Sequence, residues 1–523
     1  MDTSQRNSLG MRPAGELFLL LLLPVFSLCW AAICAEMPTS YQWFKDEPMH
    51  VHTITELLNQ RAPLSEVMVV VPHFPPAYYL LAYAAGRITR STVRLALAFP
   101  NLLIYLLTLL MCQRISSFFF GRRAATSVLF AGVYLFPYAI SMTTEMTVIA
   151  GPTMVILATV RLRRSDALRD FAFLAGALAF CLLSKQTTPL FVATPLAWLV
   201  CHRVSRSRMD RRFILTFALA LLSGLVAAYL VFYGALDWNW LLGDLKTQSM
   251  QTVGMVAATS GWHEHLLYYF RGLFGFFVLP LLAILLIDAA SRKLTSVHAW
   301  LAASVLLPAA VLSLFENKYF HFLLPVMPIW VILLTSSNQR PPVKKVYRLV
   351  RTILLALSLV VLVNQTIRHV ADDLIGYKNQ TFINREIATF LRVHGHCHDV
   401  AAVKGTFTMS VYAYNNYAAL SPPNQCRLEE STDYLQGHGP PQLVVAFRLA
   451  SLFDPDRCWT KAEMPGWLQT DKSPSPTESE FVKSLISDYR PIRNIYLRES
   501  STIIPAESAC AVSICERIRA EKP

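Results

Sequence analysis

Long, nearly uncharged apolar runs recur through the first two thirds of the chain, and no other feature constrains the fold as tightly. A run of ~20 apolar residues crosses a bilayer as a helix, because in hydrocarbon every backbone polar group must find its partner within the protein. Such runs lie near 16–35, 94–112, 124–141, 145–160, 170–185, 188–201, 213–233, 266–287, 297–314, 320–336 and 347–363. The pattern predicts a mainly α polytopic membrane protein of about eleven transmembrane helices. A mean hydropathy of +0.40, with charged residues at 15%, excludes an ordinary soluble enzyme. The first run, "ELFLLLLLPVFSLCWAAICA", ends in small residues as a cleavable signal peptide does. It is long for such a signal, and only Arg6 and Arg12 precede it as basic residues, so it reads as an uncleaved first span.

The net charge of +13 raises nucleic-acid binding as a function class. The basic residues argue against it, because they fall in short loops between apolar runs: "RLRR" (161–164), "HRVSRSRMDRR" (202–212) and "RPPVKKVYR" (340–348). That is the bias of loops on the cytoplasmic side of a membrane. With the N-terminus inside, the opposite loops before residue 364 hold far fewer cations, among them Lys45, Arg61, Arg87, Arg90, Lys185, Lys246 and Lys318. The two runs flanking Lys185 are short, and a buried re-entrant hairpin there would leave the parity of later spans unchanged.

After Val363 the composition turns mixed and Pro-rich. The chain therefore divides into a transmembrane catalytic domain, 1–363, and a soluble domain, 364–523, which parity places outside the cytoplasm. "FINREIATFLRVHG" (382–395) has helical spacing, and 399–403, 442–447 and 494–499 read as short strands, so a small α/β domain is expected. This segment holds Cys397, Cys426, Cys458, Cys510 and Cys515. An oxidising compartment would allow disulfides, and buried thiols are the alternative. Asn364 and Asn379 each open an N-Q-T sequon.

Four clusters carry groups capable of chemistry. Asp46 and Glu47 precede an amphipathic helical pattern that also carries His50 and His52, and His73 opens a second helix, "HFPPAYYLLAYAAGRI". A helix N-terminus stabilises carboxylates, so a simple acidic cap competes with an active site. Glu145 lies in a tight turn between apolar runs, and Lys185 lies at a span edge. Their structural alternatives are an interfacial turn residue and a snorkelling lysine. Lys318, Tyr319 and His321 open a late span, where an aromatic belt is the alternative. Parity puts all four clusters at one face of the membrane. Carboxylates and cations together at one level suit a site where a carboxylate takes a proton from an acceptor hydroxyl and cations hold a departing phosphate. The two histidines are read as polar groups and no metal ligands are assigned. No cofactor is assigned, and a divalent cation is left open.

These motifs resemble, in their order over most of residues 16–363, the GT-C glycosyltransferases that use polyprenyl-phosphate sugars. "DEPMH" resembles that family's acidic first-loop motif, which implies Asp46 as catalytic base with Glu47 beside it. "HFPPAYYLLAYAAGRI" is similar to its following helix, and Glu145 matches the acid of its second outer loop. "LLSKQTTPLF" and "ENKYFHFLLPVMPIW" resemble its later motifs, with Lys318 where many relatives have Arg. The soluble tail resembles that of the lipid A aminoarabinose transferases and bacterial protein-mannosyltransferase-like enzymes. The D-E-x-x-H spacing and "SKQT" are also similar to a eukaryotic dolichyl-phosphate-glucose glucosyltransferase.

The resemblance implies an integral-membrane transferase moving one sugar, a hexose or pentose, from a polyprenyl-phosphate donor to a lipid, glycan or protein acceptor on the outer face. It assigns Asp46, Glu47 and Glu145 to catalysis, and His50, His73, Lys185, Lys318, Tyr319 and His321 to substrate. The implied setting is a bacterial inner membrane, with the endoplasmic reticulum as alternative and membrane lipid rather than nucleic acid as partner. The rival class is a polytopic transporter or lipid flippase, which an internal repeat and paired interrupted helices would favour. The sequence shows neither, although Gly151-Pro152 falls inside the fourth run.

Overall fold

The computed structural model describes residues 13–37, 47–61, 63, 76–90, 94–120, 124–185, 188–206, 208–232, 277–290, 295–312, 320–336, 345–394, 399–403, 410–420, 426–430, 434, 440–447, 488–496 and 510–518. Their helices are α1 Pro13–Glu36, α2 Glu47–Asn59, α3 Ala77–Thr89, α4 Arg94–Phe120, α5 Ala124–Ile140, α6 Glu145–Leu162, α7 Leu168–Ser184, α8 Pro189–Ser205 and α9 Arg211–Phe232. After them come α10 Val278–Ala290, α11 Ser296–Leu312, a 3-10 helix Phe320–Val326, α12 Met327–Ser336 and α13 Lys345–His394. The chain forms two compact units. The first comprises Met1–Ile33, Gln60–Ser91 and Ala96–Ile367, and the second Cys34–Asn59, Thr92–Leu95 and Arg368–Pro523.

A helix lies on each of the expected apolar runs, though part of the eighth, 266–276, lies outside the described residues. Among the described residues, stretches of four helices are long and apolar enough to cross a membrane by themselves: Arg94–Phe120, Glu145–Leu162, Arg211–Val231 and Leu349–His394. Leu215, Leu219, Leu222 and Leu225 stand exposed at helical spacing on α9, the outward apolar face of a helix that meets lipid.

In the first unit α7 packs antiparallel along α6 and also against α9. Two glycines set these approaches. A Cβ built on Gly151 would come within 2.8 Å of the Cys181 Cα, and one on Gly224 within 2.7 Å of the Ala175 carbonyl oxygen. Small residues allow close approach between helices in a membrane. Val155, Leu174, Leu178, Leu199 and Phe213 fill the space around these crossings. Elsewhere Tyr105 on α4 donates its hydroxyl to the Gly132 carbonyl at 2.9 Å, and the Trp30 indole donates to the Ala139 carbonyl at 2.7 Å. Such bonds satisfy polar side chains buried among apolar helices.

The second unit contains a five-stranded sheet in the order β2-β1-β3-β5-β4. Its strands are β1 Val400–Val403, β2 Glu429–Glu430, β3 Leu443–Phe447, β4 Tyr489–Tyr496 and β5 Cys510–Arg517. β1 pairs parallel with β2 and β3, and β5 runs antiparallel to β3 and β4. Helix α14, Ser410–Leu420, joins β1 to β2 and packs against α2. Successive residues Leu443, Val444 and Val445 are all buried, as in a strand covered on both faces. Ile383, Ile387 and Leu391 turn the last part of α13 into another buried face.

Three features of this unit depart from the sequence reading. The helix expected at 382–395 is the end of α13, which runs unbroken from Lys345 because no proline interrupts 345–394. The strand expected at 494–499 begins earlier, at Tyr489, and 497–499 lie outside the described residues. Strand β5 was given no strand signal by an alternating pattern, since "CAVSICER" has buried residues on both faces. The second unit also takes in 34–59 and 92–95 from the part the composition assigns to the membrane. Cys426 is in a disulfide, and Cys515 is a buried thiol. Asn379 is buried within α13, so its sequon is closed to a glycan in this fold.

Candidate active site

In the second unit the acidic motif opens α2. Glu47 and Pro48 occupy its first turn, where an acid suits the positive helix end and proline loses no hydrogen bond. Val51, Ile54 and Leu57 bury one face. The Glu47 carboxylate faces the Arg94 guanidinium in a two-armed ion pair: Nη1 donates to Oε1, and Nη2 to Oε2 at 3.1 Å. The two side chains are 1% and 3% exposed. A planar guanidinium matched to both carboxylate oxygens fixes orientation as well as charge. Sequence reasoning missed Arg94. The available signal was an arginine heading an apolar run on the side that is poor in cations.

Asn416 on α14 donates its Nδ2 to the Pro48 carbonyl at 3.1 Å, tying the same first turn to the sheet's helix. His50 is 1% exposed, and burial pushes its imidazole down to about 3. It is therefore neutral at physiological pH and offers a hydrogen bond rather than a positive charge. His52 is half-buried and shifted the same way by burial, with the Glu56 carboxylate opposing. Asp46, the residue before α2, lies outside the described residues.

In the first unit a tight turn, Ser141–Thr144, precedes α6 and delivers Glu145 to its N-terminus. The turn is held by Asn101 of α4, fully buried, whose Nδ2 donates to the carbonyls of Ser141 at 2.7 Å and Thr143 at 3.0 Å. The Ser141 and Thr143 hydroxyls pair at 2.8 Å. One oxygen of Glu145, Oε2, is buried and has no hydrogen-bond partner among the described residues. A buried carboxylate oxygen without a donor is costly in a folded protein.

Lys185 ends α7, and its carbonyl accepts from the Thr188 hydroxyl that opens α8. Arg161 meets Asp170 at 2.9 Å near one end of the antiparallel α6–α7 pair, and Gly151 meets Cys181 further along. Glu145 and Lys185 both lie beyond that second crossing, by about 9 Å and 6 Å of helical rise, and so share one end of the unit. Thr335 near the end of α12 bonds Ser127 near the start of α5 at 2.6 Å. The 3-10 helix that enters α12 therefore stands toward the far end of α5, which leads through Ser141–Thr144 into Glu145, and it packs on α6.

Three of the four clusters thus reach the structure with defined positions. Glu145 and Lys185 lie toward the same end of the first unit, the 3-10 helix packs on α6, and Glu47 and His50 lie on α2 of the second. His73, Lys318 and Tyr319 lie outside the described residues, as does the side chain of His321. Among the described residues, no group of three or more His, Cys, Asp or Glu side chains converges to hold a metal ion.

Against solved structures the chain is similar to ArnT from Cupriavidus metallidurans in its apo state. The TM-score is 0.56 at 15% identity, over 84% of this chain and 94% of that one. Against the same protein bound to undecaprenyl phosphate the TM-score is 0.58 at 11% identity, over 96% and 98%. The fold is that of these two ArnT structures. The archaeal oligosaccharyltransferase AglB from Archaeoglobus fulgidus matches at a TM-score of 0.47 and 10% identity, over 95% of this chain and 88% of that one. No protein-family model matches the sequence, and no curated protein does. At these identities the likeness is one of fold. The match to the undecaprenyl-phosphate-bound ArnT structure extends over nearly the whole of both chains.

Proposed function

We propose that the chain is a membrane transferase that moves a sugar from a polyprenyl phosphate to a lipid, glycan or protein acceptor at the extracytoplasmic face. The observation that carries this reading is the buried oxygen of Glu145, without a hydrogen-bond partner among the described residues, at the end of the first unit that it shares with Lys185. The shared fold supports it, since one ArnT structure holds undecaprenyl phosphate. The disulfide at Cys426 supports a tail in an oxidising compartment. A bacterial inner membrane with about eleven spans is the proposed setting, and the endoplasmic reticulum is the alternative.

In this mechanism Asp46 takes the proton of the acceptor hydroxyl as its oxygen attacks the anomeric carbon. The bond from that carbon to the phosphate oxygen breaks, the configuration inverts, and polyprenyl phosphate leaves with the electron pair. Lys185, Lys318 and Tyr319 hold the phosphate, and His73 and His321 line the donor. Glu145 orients the acceptor. Glu47 is a positioning residue: locked by Arg94, it fixes the start of α2. Neutral His50 supports the same turn. A divalent cation beside Glu145 is left open, and no step here passes through one.

Glu145→Gln tests the reading. Because Oε2 makes no hydrogen bond among the described residues, the change costs little stability but should slow transfer on the order of a hundredfold. Lipid mass spectrometry should then show the polyprenyl-phosphate sugar pool persisting in membranes that carry the variant. Full consumption of that pool by both Glu145→Gln and Lys185→Gln would remove the site from the proposal.

A further inference from the structure

The far ends of α6 and α8 and the near ends of α7 and α9 form a second polar region of the first unit, opposite the Glu145 end. Nine arginines and three aspartates lie there between residues 161 and 212. The aspartates are already engaged. Asp170 meets Arg161 at 2.9 Å, Asp166 meets Arg203 at 2.7 Å, and Asp210 caps α9 by accepting from the Phe213 N–H at 2.7 Å. Buried Arg203 also donates to the carbonyls of Leu162 and Ser165, clamping the α6–α7 loop to the end of α8. The two loops are therefore one built surface rather than separate solvated tails.

The remaining arginines include some that are held in place without an anion. Arg163 donates its Nε to His202 Nε2 at 3.0 Å, and its guanidinium lies 5.3 Å from the Trp198 ring and 5.9 Å from that of Phe119. Trp198 stacks on His202 and on Trp300. Arg164 lies 3.9 Å over Phe118. Burial, then the like charges of Arg164 and Arg206, disfavour the charged form of Arg163. Loop arginines that serve orientation alone extend into water. Arg163 and Arg164 are fixed on aromatic faces where α6 leaves the apolar layer, and the exposed Arg206 follows the end of α8. Among the described residues no carboxylate meets Arg163 or Arg164, and an anion at the level of the lipid headgroups would complement them.

We propose that this surface binds the phosphodiester headgroup of an anionic phospholipid from the leaflet at that end, with Arg163, Arg164 and Arg206 as its cationic walls. The site is separate from sugar transfer, and its test does not depend on activity. The full chain, purified into mixed micelles of phosphatidylglycerol and phosphatidylcholine, is released in a native mass spectrometer. Phosphatidylglycerol should be retained several-fold over phosphatidylcholine, and the preference should disappear in the triple variant Arg163→Gln/Arg164→Gln/Arg206→Gln. Equal retention of both lipids by the native chain overturns the proposal, as does an undiminished preference in the triple variant. Displacement of the lipid by millimolar inorganic phosphate also overturns it, because the source is then a soluble anion. If the triple variant fails to fold, exposed Arg164→Gln alone decides: a several-fold loss of preference supports the site, and an unchanged preference overturns it.

Discussion

Glu47 and Arg94 show how one partner changes the meaning of a motif. Read along the chain, Asp46 and Glu47 are two adjacent acids before a helix, equally suited to chemistry. In the structure Glu47 is committed to an arginine 47 positions later, a distance that no local pattern conveys. Breaking a buried pair leaves one charge uncompensated and typically costs about 3–5 kcal/mol. Arg94→Ala is therefore expected to lower the thermal unfolding midpoint sharply, and Glu47→Gln to do so with a loss of transfer. Arg94→Lys, which keeps the charge but loses the fork, should recover part of the stability. Equal midpoints in native and Arg94→Ala protein would contradict the assignment. His50 makes a pH prediction. Its folded value is about 3 against an ordinary 6.5, so the unfolded chain binds the proton first. Its contribution is fully present above 6.5 and is lost as pH falls from 6.5 toward 3. Unfolding midpoints measured across that window should fall less steeply in His50→Gln than in the native chain.

At the level of elements, the helices were legible and their limits less so. Apolar runs of span length have one structural solution in lipid, and each expected run carries a helix. The single helix 345–394 was divided by a change of composition at Val363, because hydropathy reports the surroundings of a helix and not its continuity. Strand β5 escaped notice because it is covered on both faces and lacks alternation. Asn101 was invisible for another reason: a single buried amide inside an apolar run carries no periodic signal, yet it holds the turn before Glu145. Asn101→Ala leaves two carbonyls of that turn without this donor and should cost ~1–3 kcal/mol. Transfer should fall further than the stability loss explains, because Glu145 is displaced. Gly151→Val addresses the helix pair itself. Its side chain would collide with backbone at Cys181, which does not yield, so α6 and α7 must separate. A loss of about 1–3 kcal/mol is expected, read from thermal unfolding, and a midpoint equal to that of the native chain would refute the close packing.

For the whole molecule, a mainly helical membrane architecture was legible from hydropathy, and the likeness to ArnT agrees with it. The division into units was not: residues 34–59 and 92–95 join the α/β unit through packing that no composition change announces. The disulfide at Cys426 carries a prediction at this scale. Cys426→Ser should destabilise the chain by about 2–5 kcal/mol, visible as a lower unfolding midpoint, and reductant should do the same to the native protein. The account as a whole rests on a base at position 46 acting against a lipid phosphate. The most direct measurement is the release of polyprenyl phosphate, quantified by mass spectrometry, in membranes holding equal amounts of native and Asp46→Asn protein. Release with the native chain and none above background with correctly inserted Asp46→Asn is the predicted result. Equal release from both would contradict it.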